Sequence, residues 1–154
     1  MSAKGGIAPE PRSYEEGDMP GSIRVACASW GGEQVDGHFG SCPQFLVYQV
    51  SADEIRFIDL RTTESADQMG YGSAYRTSLI EDCHILYICS IGGPAAARVV
   101  KAGIHPIKII EGGKAPELLA QLQKILAGSP PPWLAKVMGA APKERVRYQR
   151  PEVL

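Results

Sequence analysis

Cys83-His84-Ile85-Leu86-Tyr87-Ile88-Cys89-Ser90, followed by Ile91-Gly92-Gly93-Pro94, is the stretch whose reading decides the fold. Its first eight residues are almost continuously apolar, with His84 the main exception. A strand covered on both faces reads this way, because neither side of its pleat meets water. The glycine pair and proline then open a helix. Proline suits the first helical position and Gly103 suits the stop. Ile104 to Ile110 reads as the next strand, and Pro106 favours a sheet edge or a strand start.

Working outward, Ile23 to Ser29 is a short run of β-branched and small residues consistent with a buried strand. Phe45 to Val50 and Ile55 to Leu60 are separated only by Ser51 to Glu54, a spacing that predicts an antiparallel hairpin. Residues 61–70 are polar and read as loop. From Tyr71, the positions Tyr71, Ala74, Tyr75, Ser78 and Leu79 recur at helical spacing. Pro116 starts the last strong helix, with Leu118, Leu119, Leu122, Ile125 and Leu126 on its apolar face and Gly128 at its end. Within 129–142, Pro130-Pro131-Pro132 and Trp133-Leu134 read as a short segment that packs back on the domain.

The element order is strand, strand, strand, helix, strand, helix, strand, helix. Three antiparallel strands followed by two right-handed crossovers predict an α/β fold, a mixed five-stranded sheet with helices on its faces. The ribonuclease H-like arrangement has this order. In it, strand one and strand four lie side by side, and their C-terminal ends meet at a crevice of the kind where open α/β sheets bind ligands.

Bulk properties narrow the function. The chain has 154 residues, enough for one domain with a real core and too few for two. A net charge of −1 gives no whole-molecule drive towards nucleic acid or an anionic membrane. No run approaches the length of a transmembrane helix, and the N-terminus lacks an apolar signal region. The expectation is a cytoplasmic protein without nucleic-acid or membrane partners. Residues 1–21, rich in Gly, Pro, Ser and charge, are expected to form a disordered leader or linker. Residues 22–138 form the domain, and 139–154 a basic C-terminal tail.

Cys27, Cys42, Cys83 and Cys89 form no CxxC pair and no zinc-ribbon spacing. Three of them lie in apolar, strand-like sequence, where a free cysteine behaves as a small buried hydrophobe. Cys42 differs, because it lies in a loop beside a histidine.

That loop is Val35-Asp36-Gly37-His38-Phe39-Gly40-Ser41-Cys42. It places an imidazole between two glycines, next to a carboxylate and a thiol, just after the first strand. Imidazole is the commonest protein ligand for borderline metals. Flanking glycines remove Cβ shielding, so a bulky ligand can approach the ring and the adjacent N–H groups. The same residues also suit a hydrogen-bonded turn, Asp36-Gly37 being a common turn pair. In the expected fold, Gly92 and Gly93 face this loop across the crevice, at a helix N-terminus whose unpaired N–H groups attract anions. Arg98 and Lys101 on that helix could add charge or simply face solvent. The combination suits a ligand that is both metallic and anionic, with His38 open at this point between a metal ligand and a hydrogen-bonding turn residue. His84 and His105, in or at strands, are weaker candidates.

Enzyme readings find little support. A ribonuclease H-like nuclease needs carboxylates on strands one and four to hold two metal ions, and Val25-Ala26-Cys27-Ala28-Ser29 and Ile85 to Ser90 carry none. A Cys42–His38 nucleophile pair is conceivable, but no oxyanion site or local signature accompanies it. No catalytic residue is assigned.

Val25-Ala26-Cys27-Ala28-Ser29, the His38 loop and Phe45-Leu46-Val47-Tyr48 together resemble the dinitrogenase iron–molybdenum cofactor-binding family. Gly92-Gly93, Gly103-Ile104-His105-Pro106 and Pro132-Trp133-Leu134 look like its nitrogenase-linked members, so the resemblance runs from about Ile23 to Val137. It implies a non-catalytic carrier that holds the iron–molybdenum cofactor, or a precursor cluster, between its assembly scaffold and apo-dinitrogenase. It also implies that His38 is the attachment residue, with Asp36, Gly37, Phe39, Gly40, Ser41, Cys42, Gly92 and Gly93 around the cargo. In the accessory-factor branch a separate N-terminal domain is expected to engage apo-dinitrogenase, and here only the short leader precedes Ile23. Two other readings stay open: an interaction module that stabilises apo-dinitrogenase without holding metal, and a domain using Cys42 as a reactive thiol.

Overall fold

The structure, a computed structural model, describes residues 11–15, 17–63 and 72–139. Its main sheet contains β1 (Ile23–Ser29), β3 (Gln44–Val50), β4 (Ile55–Thr62), β5 (Ile85–Ile88) and β6 (His105–Lys108). Their order across the sheet is β4-β3-β1-β5-β6. β1 runs antiparallel to β3, and β3 to β4, whereas β5 is parallel to both β1 and β6. Four helices are described: α1 (Gly72–Leu79), α2 (Gly93–Lys101), α3 (Ala115–Ala127) and α4 (Pro132–Met138). The mixed α/β architecture is therefore the one the element order predicts.

The pleat explains why β1 and β5 are central. Alternate side chains point to opposite faces, and both faces are covered. Ile23, Val25, Cys27, Ile85 and Tyr87 pack with Leu119, Leu122 and Leu126 of α3 and Leu134 of α4. On the other face, Ala26, Ala28, Leu86 and Ile88 pack with Phe39, Phe45, Ile80 and Val99. Of the apolar face expected on α3, Leu119, Leu122 and Leu126 are buried, but Ile125 is exposed. β6, which carries Pro106, is an edge strand, where a missing N–H is tolerated.

Several boundaries differ from the sequence reading. β5 is shorter than Cys83–Ser90, and β6 shorter than Ile104–Ile110. A two-residue ladder escapes periodicity altogether: β2 (Gln34–Val35), in the stretch after β1 read as loop, pairs antiparallel with β7 (Gly113–Lys114). Residues 1–10 of the expected leader and 140–154 of the expected tail lie outside the described residues, as does Tyr71. Residues 11–15 and 17–21 do not stand apart from the domain. The Arg12 N–H donates to the Phe57 carbonyl at 2.8 Å, Arg56 pairs with Asp18 at 2.7 Å, and Met19 is buried. This stretch has too little apolar periodicity to read as structure, yet one backbone bond and the Arg56–Asp18 ion pair tie it to β4.

A polar network ties β1, β3 and β4 to the turn that precedes β5. Arg24 reaches Gln49 and Asp82, each at 2.8 Å, and Arg61 forks onto the two Asp82 oxygens at 2.6 and 3.0 Å. Burial pushes the Asp82 carboxyl up, but the Arg61 and Arg24 guanidiniums outweigh it and hold the group at about 2.

Candidate functional site at the C-terminal rim of the sheet

Because β1 and β5 are parallel neighbours, their C-terminal ends share one edge of the sheet. The chain leaves β1 towards β3 and β4 on one side, and β5 towards β6 on the other. The β1–β5 boundary is thus the point where strand order reverses, the usual ligand position in such sheets. The loop after β1 carries His38, and the loop after β5 carries Ser90 to Gly92.

Backbone bonds stitch the two loops together. Cys89 N–H donates to the Gly37 carbonyl at 2.9 Å, Phe39 N–H donates to the Ser90 carbonyl at 2.9 Å, and His38 and Ser90 form a parallel bridge. Gly92 is two residues beyond Ser90, so at full extension about 7 Å of chain separates them. The sequence placed these loops opposite each other. They are in contact.

Within the loop, side chains sort by direction. Gly37, Phe39 and Cys42 are buried, while His38, Gly40 and Ser41 are exposed. Phe39 is driven into the core against Phe45, with ring centroids 6.0 Å apart. Inserting that ring anchors the loop and turns its neighbour His38 outward. The His38 carbonyl also accepts from the N–H groups of Ser41 and Cys42, at 3.0 and 2.8 Å, which closes the turn. The imidazole Nδ1 lies 2.6 Å from the Ser90 hydroxyl.

The glycines serve two purposes. A Cβ at Gly37 would lie 2.8 Å from the Cys42 Cβ and 3.1 Å from Ala28, so this glycine permits internal close packing rather than ligand approach. Gly40, Gly92 and Gly93 are exposed, and a Cβ on any of them would meet nothing within 4 Å. Open space therefore lies over both loops. The N-terminus of α2 has Gly92 as its cap, no side chain capping it, and Pro94 in its first turn. Pro94 removes one first-turn donor, and the N–H groups of Gly93 and Ala95, with the positive end of the helix dipole, lie at this end of the helix.

Other expected members of the site fall elsewhere. Asp36 accepts from the Trp30 N–H at 2.8 Å and so shapes the turn after β1. Cys42 is fully buried, and its burial pushes the thiol up to about 11 despite the opposing effect of nearby Arg76. Cys89, read as core, is instead the half-buried thiol, with Sγ 3.5 Å from the Val35 carbonyl. Arg98 and Lys101 sit in the last turn of α2, remote from its anion-attracting end, and line a groove against α1. His84 and His105 lie at the other end of β5 and β6. Six residues of strand separate His84 from Ser90, about 20 Å. His105 stacks on Trp133 at 4.2 Å. Among the described residues no group of three or more His, Cys, Asp or Glu side chains is placed to hold a metal ion.

Residues 21–125 match the family described as dinitrogenase iron-molybdenum cofactor. The chain belongs to that family. Protein NifY of Azotobacter vinelandii is 48% identical over 140 residues, 91% of this chain and 58% of the relative. Protein NifX of Rhodobacter capsulatus is 38% identical over 137 residues, covering 84% of this chain and 85% of the relative. The chain thus spans little more than half the length of the NifY relative and most of the NifX relative. In three dimensions the fold resembles a crystal structure from Methanocaldococcus jannaschii of a protein provisionally assigned as a dinitrogenase. That likeness has a TM-score of 0.50 at 13% identity, over 68% of this chain and 91% of the other. The family match takes in both rim loops.

Proposed function

We propose that this protein is a non-catalytic carrier of the iron–molybdenum cofactor, or of a precursor cluster, in nitrogenase maturation. The observation that carries the reading is the exposed His38 imidazole at the β1–β5 boundary, in a chain belonging to the iron–molybdenum cofactor family. Neutral imidazole donates readily to iron or molybdenum. One anchoring ligand, rather than a closed cage of three or four, lets a preassembled cluster be gripped and later released. The rest of the rim suits an inorganic anion of some size. Gly40, Gly92 and Gly93 leave room for it, and the α2 N-terminus offers N–H groups and positive potential. Cys42 and Phe39 support the loop from inside, whereas Gly37 lets it lie close to β1.

The sheet order and crossovers support a ribonuclease H-like designation for the domain, whose core we place at residues 22–138. The cofactor-assembly scaffold and apo-dinitrogenase are the protein partners that a carrier of this cargo requires. The cytoplasm is its working compartment, consistent with there being no helix among the described residues long and apolar enough to cross a membrane.

Anaerobic incubation with isolated iron–molybdenum cofactor, followed by gel filtration, tests the reading. Iron and molybdenum co-migrate with the wild-type chain and with His84→Ala, and are lost from His38→Ala. Metal retained equally by both variants would mean that His38 is not the anchor. Metal absent from the wild type would favour an interaction module instead.

A further inference from the structure

We propose that Ser90 is the positioning residue for His38: its hydroxyl accepts the Nδ1–H, holds the ring, and leaves Nε2 as the coordinating nitrogen. The inference rests on the carrier reading and adds a specific atom and a specific partner to it.

A neutral imidazole has one nitrogen that donates and one that accepts. A surface histidine with no partner can rotate and can present either nitrogen to a metal. Here the choice is constrained. Nδ1 lies 2.6 Å from the Ser90 Oγ, so coordination at Nδ1 would require breaking that contact. Coordination at Nε2 requires the ring proton to sit on Nδ1, and that N–H then needs an acceptor. Ser90 is the acceptor in place. Metal-ligating histidines almost always donate their other N–H to a neighbouring oxygen, which fixes the tautomer and raises the donor strength of the ligating nitrogen. Asp36, the carboxylate nearest in sequence, is engaged by the Trp30 N–H instead.

The backbone makes the pairing durable. Phe39 N–H holds the Ser90 carbonyl, Cys89 N–H holds the Gly37 carbonyl, and the Phe39 ring is locked in the core. Removing the Ser90 hydroxyl therefore deletes one side-chain bond without releasing either loop. Ser90 is exposed, so its replacement by alanine or threonine leaves the core untouched.

The test compares wild type, Ser90→Ala and Ser90→Thr. Cluster-free protein labelled with ¹⁵N-histidine is studied by long-range ¹H–¹⁵N correlation at about pH 9, above the ordinary imidazole pKa. The His38 proton is expected on Nδ1 in wild type and Ser90→Thr, and to move towards Nε2 in Ser90→Ala. Anaerobic equilibrium binding of isolated iron–molybdenum cofactor should then weaken about 10–100-fold in Ser90→Ala and recover in Ser90→Thr. A wild-type proton on Nε2, or cofactor binding unchanged in Ser90→Ala, overturns the assignment. Wild-type protein that binds no cofactor removes the carrier reading and this role with it. The tautomer measurement needs no cluster, so the two failures are told apart.

Discussion

Adding a single methyl group at Gly37 tests whether the His38 loop is held by close packing against β1. The new Cβ in Gly37→Ala would sit 2.8 Å from the Cys42 Cβ and 3.1 Å from both the carbonyl carbon and the Cβ of Ala28. Non-bonded carbons prefer about 3.5–4.0 Å, so the intrusion is about 0.5–1 Å on two sides at once. Neither neighbour can give easily. Ala28 is paired with Phe45 in β3, and its carbonyl accepts from both Asp36 and Gly37 N–H groups at 3.2 Å. Cys42 is fully buried. Overpacking of this kind costs about 1–3 kcal/mol, and two rigid walls put Gly37→Ala in the upper part of that range. For a chain of this length, about 2 kcal/mol or more lowers Tm by roughly 4–10 °C. The control is Gly40→Ala, whose methyl enters open space and should change stability by less than about 0.5 kcal/mol. Urea unfolding of both variants provides the measurement. Cofactor affinity should fall in Gly37→Ala as well, because the Gly37 carbonyl is one of the stitches that aligns His38 with the β5 loop. Equal stability for the two variants would refute the reasoning.

Acid should expose the Asp82 network. Its carboxyl is held at about 2, below the ordinary range, so the folded state gains stability above about pH 4 and loses it as pH falls towards 2. The stability gap between wild type and Asp82→Asn should shrink by about 2 kcal/mol over that window, read by urea unfolding at stepped pH; a constant gap contradicts the ion-pair account. Thiol labelling should modify Cys89 first in the native protein, since Cys27, Cys42 and Cys83 are buried. Mass mapping that finds Cys42 labelled as fast as Cys89 would mean the loop does not face inward as described.

The sequence made the scaffold legible because burial writes itself into periodicity. The run Ile85 to Ile88, buried on both faces, and the spacing of Leu119, Leu122 and Leu126 are patterns that packing imposes. Gly92-Gly93-Pro94 and Gly103 marked the ends of α2 because turn geometry restricts residue type. The site itself was only half legible. A histidine between glycines in a loop after β1 could be seen, but the direction of each side chain could not. Cys42 was set apart from the core cysteines because it lies in a loop, yet the loop turns back into β3 and carries the thiol inward. Cys89 was read as core because it ends an apolar run, yet it lies just past the last β5 residue, where neighbours thin out. Ser90 could not be found at all: its pairing with His38 spans 52 residues, and a lone serine at a strand end has no signature. The β2–β7 ladder escaped for a similar reason, since two residues per strand show no period.

The most direct test of the central claim is electron–nuclear double resonance on cluster-loaded protein carrying ¹⁵N-histidine. Wild-type protein should show a ¹⁵N coupling to the cluster that persists in His105→Ala and is absent from any cluster His38→Ala retains. The same coupling in His38→Ala, or none in the wild type, would contradict attachment through this imidazole.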